Sequence, residues 1–338
     1  MAALQEILTY RRTLLAVLLM VCLLTLLRAN TDTALFVNRI CSNRPFSGSR
    51  FSIDIANVPA RLSSIPSTTS KTKNDDPTLD IVVSMYREDA QSCALRLKEL
   101  KSLQPFKDLT IRTFIYTKDS SANVEQLKDI FNTPHVVTLP NLGREADTYF
   151  THILERYSDL ARHTMFIQAE MHEFEGAKTR IKGWFRPNTG VLSLGQIESC
   201  SCVSCHDSWD NHRSFPRIEE LYSALNGEFC PQKIALTYLG QIIVSAERIR
   251  SRGPSTYKYL RQVLDSDKSS FIHTDPRQPF FNDEPSEPYF GHTIERSYMV
   301  LWNCSSDDLA RRCGGLSSLH TPRPEGLPDD YCQCLDSP

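Results

Sequence analysis

The stretch Leu79-Asp80-Ile81-Val82-Val83-Ser84-Met85-Tyr86-Arg87-Glu88-Asp89 decides the fold. It opens as a mostly apolar, β-branched run of strand length and passes directly into a charged tetrapeptide. A continuous apolar strand suits burial on both faces of a parallel sheet, and the loop after such a strand is where these sheets bind ligands. Residues 90–102 follow with Ala94, Leu97 and Leu100 at helical spacing. The alternation then recurs: strand over 109–116, helix over 124–131, strand over 135–139, helix over 145–157, strand over 163–168. Together these predict an α/β domain, a mostly parallel sheet with helices on both faces.

Beyond Gln168 the pattern loosens into a loop-rich stretch, the cluster CSCVSC at 200–205 and a helix near 218–225. A strand, LTYLGQIIVS, is expected at 236–245, then helices at 257–264 and 292–301. The α/β domain is thus placed at 79–302. Residues 303–338, with Cys304, Cys313, Cys332 and Cys334 among Gly and Pro, read as a disulfide-tied C-terminal extension. No internal repeat is visible.

Before this domain, residues 28–78 are rich in Ser, Thr, Pro and Lys and read as a stem. Residues 13–27, TLLAVLLMVCLLTLL, carry no charge and lie between Arg11-Arg12 and Arg28. At ~1.5 Å per residue they span roughly 22 Å, and flanking arginines that snorkel extend the usable length. A signal anchor and a cleaved signal peptide compete for this segment. The bulky residues at Leu27-Arg28-Ala29 disfavour cleavage, and Arg11-Arg12 keeps residues 1–12 cytosolic. The expectation is a single-pass type II protein of the Golgi or endoplasmic reticulum membrane, secreted if the segment is cleaved.

Of 11 cysteines, Cys22 falls in that apolar run; ten remain, an even number that in an oxidising lumen predicts disulfides. Asn303-Cys304-Ser305 is a minor glycosylation pattern that agrees with a lumenal glycoprotein. With 38 Lys+Arg against 40 Asp+Glu, the chain has no basic field for a polyphosphate backbone, so nucleic acid is not an expected partner.

The loops after the four strands are unusually polar: Tyr86-Arg87-Glu88-Asp89, Thr117-Lys118-Asp119-Ser120-Ser121, residues 140–147 (PNLGREAD) and Gln168-Ala169-Glu170-Met171-His172-Glu173. Singly, acids such as Glu88 or Asp147 are accounted for as helix caps. Jointly they form a charged rim offering carboxylates for a divalent cation, and Arg and Lys for phosphate oxygens. No Walker loop, G-x-G-x-x-G or G-x-S-x-G is present, which argues against P-loop kinases, dinucleotide dehydrogenases and α/β-hydrolases.

The order of these strand ends is similar to the nucleotide-binding half of glycosyltransferases with the A-type fold. It resembles more closely a mainly fungal family of uncharacterised proteins, domain of unknown function 3431. The matching pieces are VVSMYRED, LPNLGREADTYFTHI, FIQAEMHEF, LTYLGQIIVSAERI with Tyr257 after it, and GHTIERSYMVLW, spanning residues 79–302. The glycosyltransferase resemblance implies a nucleotide-sugar donor and a glycan or small-molecule acceptor. It implies that Arg87, Asp89 and Asp119 contact the nucleoside, and that the segment holding Asn141, Arg144, Glu145 and Asp147 lies under the sugar and diphosphate. In place of the metal-binding aspartate pair it puts Glu170 and His172, spaced to share manganese or magnesium, with Glu173 as an outer carboxylate. An altered metal site, a metal-free enzyme using Arg144, or a lost activity would each fit; a non-catalytic carbohydrate-binding protein is the alternative.

An inverting transferase needs a carboxylate base, and Glu295 in GHTIERSY is the candidate, with Glu173 as a second catalytic carboxylate. The competing account of Glu295 is a salt bridge on a packed helix. Gln241 lies inside an apolar run and needs a partner, either substrate or another part of the chain. Cys200, Cys202, Cys205, His206 and His212 could be drawn as a zinc site. Lumenal oxidation, with Cys230 as a fourth cysteine, favours two disulfides instead.

Overall fold

The computed structural model describes residues 78–207, 214–278 and 283–337. The tail, apolar run and stem expected before Thr78, with Cys41, therefore lie outside the described residues, as does His212. No helix of the described residues is long and apolar enough to cross a membrane.

The chain alternates as expected through its first half: β1 (Leu79–Met85), α1 (Ala90–Lys101), β2 (Ile111–Thr117), α2 (Val124–Phe131), β3 (Val136–Thr138), α3 (Arg144–Arg156) and β4 (His163–Gln168). Every residue of β1 is buried, because the strand is central and covered on both sides. Ile81 and Val83 join one hydrophobic cluster and Val82 the other, as the two-residue period of a strand requires. Asp80, fully buried in this run, receives Arg112 Nε at 2.7 Å and Nη2 at 2.8 Å. The same guanidinium reaches the Asp159 carboxylate and carbonyl, fastening the α3–β4 connection at the edge of the sheet remote from the strand ends.

After β4 come α4 (Phe174–Trp184), β5 (Thr189–Ser193), β6 (Ile197–Ser201), α5 (Ile218–Asn226), β7 (Lys233–Thr237) and β8 (Ile242–Ser245). Short helices α6 (Ala246–Arg250) and α7 (Pro254–Leu264), then α8 (Tyr289–Arg296), α9 (Tyr298–Leu301), α10 (Asp307–Cys313), α11 (Gly315–His320) and β9 (Cys334–Leu335) complete the described chain. Among the described residues, seven strands form one sheet in the order β3-β2-β1-β4-β8-β5-β9, while β6 and β7 pair separately. β1 to β4 are mutually parallel; β8 runs antiparallel between β4 and β5, so the sheet is mixed.

Three expectations need correction. LTYLGQIIVS is not one strand: Leu239 and Gly240 both adopt positive φ, 74° and 62°, and this turn separates β7 from β8. The helix expected at 292–301 is interrupted at Ser297, which caps both α8 and α9. The loop-rich stretch contains α4, β5 and β6, whose mixed polarity hid their periods.

The described disulfides are Cys200–Cys205, Cys202–Cys230, Cys304–Cys334 and Cys313–Cys332, which removes the first cluster from metal binding and ties the C-terminal extension. Of the ten cysteines counted, eight are paired and Cys41 lies outside the described residues; Cys93 is free and buried on α1, where apolar surroundings push its thiol up to about 12.

Candidate functional site

β1, β2 and β4 point the same way, so their carboxyl ends and the loops after them share one edge. β1 lies between β2 and β4, and the chain turns from one side of it to the other. This is the switch point at which open α/β sheets leave a crevice. A cleft of about 350 Å³ opens there. Each of the four polar strand-end loops contributes to its lining: Tyr86 and Glu88 from the first, Lys118 from the second, Asn141, Arg144 and Glu145 from the third, Gln168 from the fourth.

Sharp backbone turns present these groups. Gly143 and Arg144 adopt positive φ, 62° and 53°, and a Cβ on Gly143 would stand 2.8 Å from the Asp147 Cβ. Only glycine fits that approach. Beneath the turn, the buried Lys118 ammonium donates to the Leu142 and Arg144 carbonyls and lies 3.2 Å from Asp147 Oδ2. Burial lowers the Lys118 pKa, with Asp147 opposing. Asp147 Oδ1 accepts from Arg261 Nε at 2.7 Å, and burial together with the Asp147 charge pushes the neighbouring Asp265 up to about 7. Asp147 thus supports the cleft floor from below.

A fifth segment closes the cleft. Gly143 N donates to Pro285 O at 2.8 Å, and Arg144 Nη1 to Glu287 Oε1 at 2.9 Å, which brings Ser286 and Glu287 into the lining. Neither was named from sequence; DEPSEP carries acid and proline but no period that would tie it to a loop 143 residues earlier.

At the wall, Glu145 is 6% exposed and its Oε1 has no hydrogen-bond partner; Arg144 Nε is likewise buried and without one. Arg144 Nε lies 3.6 Å from Glu145 Oε2. Burial works against the Arg144 charge, but Glu145, Glu295 and Glu287 raise its pKa overall.

The remaining expected residues separate from this group. Asp89 caps α1, accepting from Gln91 N and Ser92 N. Asp119 accepts from Ser121 N and Oγ, bonds that lower its pKa, and sits 3.7 Å from Arg87 Nε. Exposed Arg87 stacks over Tyr86, 4.8 Å from the ring centre. Gln241 is buried and donates to the His172 carbonyl at 2.9 Å, so it steadies the loop after β4.

Glu295 is buried, accepts from Arg296 Nη1 at 2.6 Å and lies 3.6 Å from His292 Nδ1. Burial alone would raise its pKa, yet Arg296, His292 and Arg144 hold it down at about 2. A carboxylate held so firmly in its charged form is a weak proton acceptor at neutral pH.

Glu170 and His172 are exposed, and Glu173 turns away to meet His320 Nε2 at 2.7 Å. Among the described residues no group of three or more His, Cys, Asp or Glu is placed to hold a metal ion. A divalent cation does not fit the ligands expected for it.

Residues 81–182 match the family described as "Protein of unknown function (DUF3431)". This segment of an uncharacterised family runs from β1 into α4 and contains all four strand-end loops, but not the 283–288 segment that closes the cleft. No curated protein matches the chain.

Proposed function

We propose that the chain is a glycosyltransferase-like protein that takes a nucleotide-sugar donor in the strand-edge cleft and serves a glycan or small-molecule acceptor in the secretory lumen. The observation that carries this reading is the convergence of four polar strand-end loops on one cleft at the switch point of the sheet. Exposed Tyr86, with Arg87 stacked on it, offers a surface for a base and a cation for phosphate at the lip. Arg144 and Glu145 lie deeper and offer a hydrogen-bond donor and acceptor to the sugar. Four disulfides and the apolar run at 13–27 support a lumenal, membrane-anchored setting.

The second reading, a carbohydrate-binding protein without transferase activity, is favoured by exposed Glu170 and His172 lacking a third ligand and by the low pKa of Glu295. The melting temperature of the full-length chain against UDP-, GDP- and CMP-sugars, with and without manganese, tests the proposal. A rise with one nucleotide sugar, reduced by Tyr86→Ala, supports it. A folded chain that no donor stabilises removes the donor site and leaves the second reading.

A further inference from the structure

The wall of the cleft holds, on adjacent residues, two polar atoms without a hydrogen-bond partner. Glu145 Oε1 is an acceptor on a side chain more than nine-tenths buried, and Arg144 Nε is a buried donor on the adjacent residue. Buried polar atoms without partners are uncommon, because each forfeits its hydration for nothing. A ligand that both donates and accepts at neighbouring atoms would satisfy the pair. A hydroxyl does this through one oxygen, and a vicinal diol through two.

The charge around the pair narrows the choice. Three carboxylates line the cleft, Glu88, Glu145 and Glu287, against the two cations Lys118 and Arg144. Both cations are engaged: Lys118 with Asp147 and two carbonyls, Arg144 with Glu287. An additional ligand carboxylate would face a negative field, with no free cation among the described residues that line the cleft.

We infer that the wall formed by Arg144 and Glu145 binds the hydroxyls of a neutral sugar and excludes acidic sugars such as uronates. The inference rests on the donor-cleft reading above and specifies which sugar that cleft accepts.

Glucose and glucuronate differ by one carboxylate, so the test titrates the full-length chain with UDP-glucose and UDP-glucuronate, and separately with methyl glucoside and methyl glucuronide. Glucose forms should bind at least about tenfold more tightly than their acidic counterparts. Glu145→Gln, which keeps an acceptor but removes the charge, should weaken glucose binding by about tenfold and narrow the preference. Glu287→Gln, at a side chain 74% exposed and so safe for folding, frees Arg144 and should improve glucuronate binding several-fold. Equal or tighter binding of the glucuronates by the wild-type chain overturns the inference while leaving the donor-cleft reading intact. Discrimination among the methyl glycosides without binding of either UDP-sugar keeps the inference and removes the nucleotide. A folded chain that binds none of the four overturns the inference; the donor-cleft reading falls with it only if GDP- and CMP-sugars also leave the melting temperature unchanged.

Discussion

From β1 to β4 the molecule is joined by in-register parallel pairing, seven paired positions between β1 and β2 and six between β1 and β4, with the single free cysteine of the described residues, Cys93, buried under α1. From β5 onward the strands are two to five residues long, against the six or seven of β1, β2 and β4, and four disulfides tie the segments together. The difference follows from the elements themselves. Long apolar strands between amphipathic helices bury enough surface to hold one another, whereas a two-residue strand such as β9 cannot, and needs a covalent constraint on the alternatives open to the unfolded chain. The cleft belongs mainly to the first region. It is completed by a segment of the second, so its shape depends on both kinds of stabilisation.

The largest loss of stability is expected at the buried ion pair of the first region. Arg112→Met leaves the fully buried Asp80 carboxylate without its partner and should cost about 4 kcal/mol in urea denaturation. If the loss is below about 1 kcal/mol, Asp80 is not held as an isolated charge and the first region is stabilised otherwise than described.

In the second region, Cys304→Ala with Cys334→Ala opens a link spanning 30 residues and should cost about 3 kcal/mol. Hydrogen exchange should accelerate at β9 and β5 and stay slow in β1 and β2. Equal acceleration in both would mean that the two regions do not differ in this way.

Gly143→Ala tests the junction. The positive φ and the Asp147 Cβ at 2.8 Å make alanine strained, with an expected loss of about 2 kcal/mol and weaker ligand binding as the third loop shifts.

Taken per pH unit, the smallest effect is a stability slope assigned to the first region. Burial lowers the His152 pKa to about 3 and also lowers those of His135 and His163. Above the ordinary histidine value neither the folded nor the unfolded chain takes up these protons. Below it the unfolded chain does so first, so stability is complete above about pH 6.5 and declines as the pH falls towards 3. His152 should contribute a slope of roughly 1.4 kcal/mol per pH unit in that window. His152→Asn should flatten it, whereas the disulfide variant should keep it.

The strand-helix alternation through Gln168 was legible because each element is a local pattern: LDIVVSM as a mostly apolar, β-branched run, then Ala94, Leu97 and Leu100 at helical spacing. The polar loops after those strands were legible for the same reason, and the family match falls on that stretch. Which of their residues meet was not. Asp89 and Asp147 carry the same charge as Glu145, yet one caps a helix, one is buried against Lys118 and Arg261, and only Glu145 stands at the cleft wall. Glu145 and Asp147 even share the first turn of α3, so what separates them is which face of that helix each occupies.

The amino-acid sequence by itself determined the α/β class, the placement of polar loops at strand ends and the presence of cysteine clusters, since these depend on spacing along the chain. Tertiary structure alone decided the sheet order, the turn that divides LTYLGQIIVS, the nesting of Cys313–Cys332 inside Cys304–Cys334, and the approach of Glu287 to Arg144 across 143 residues. Such contacts are set by how two hydrophobic faces close on one sheet, a global condition that no local window of sequence contains.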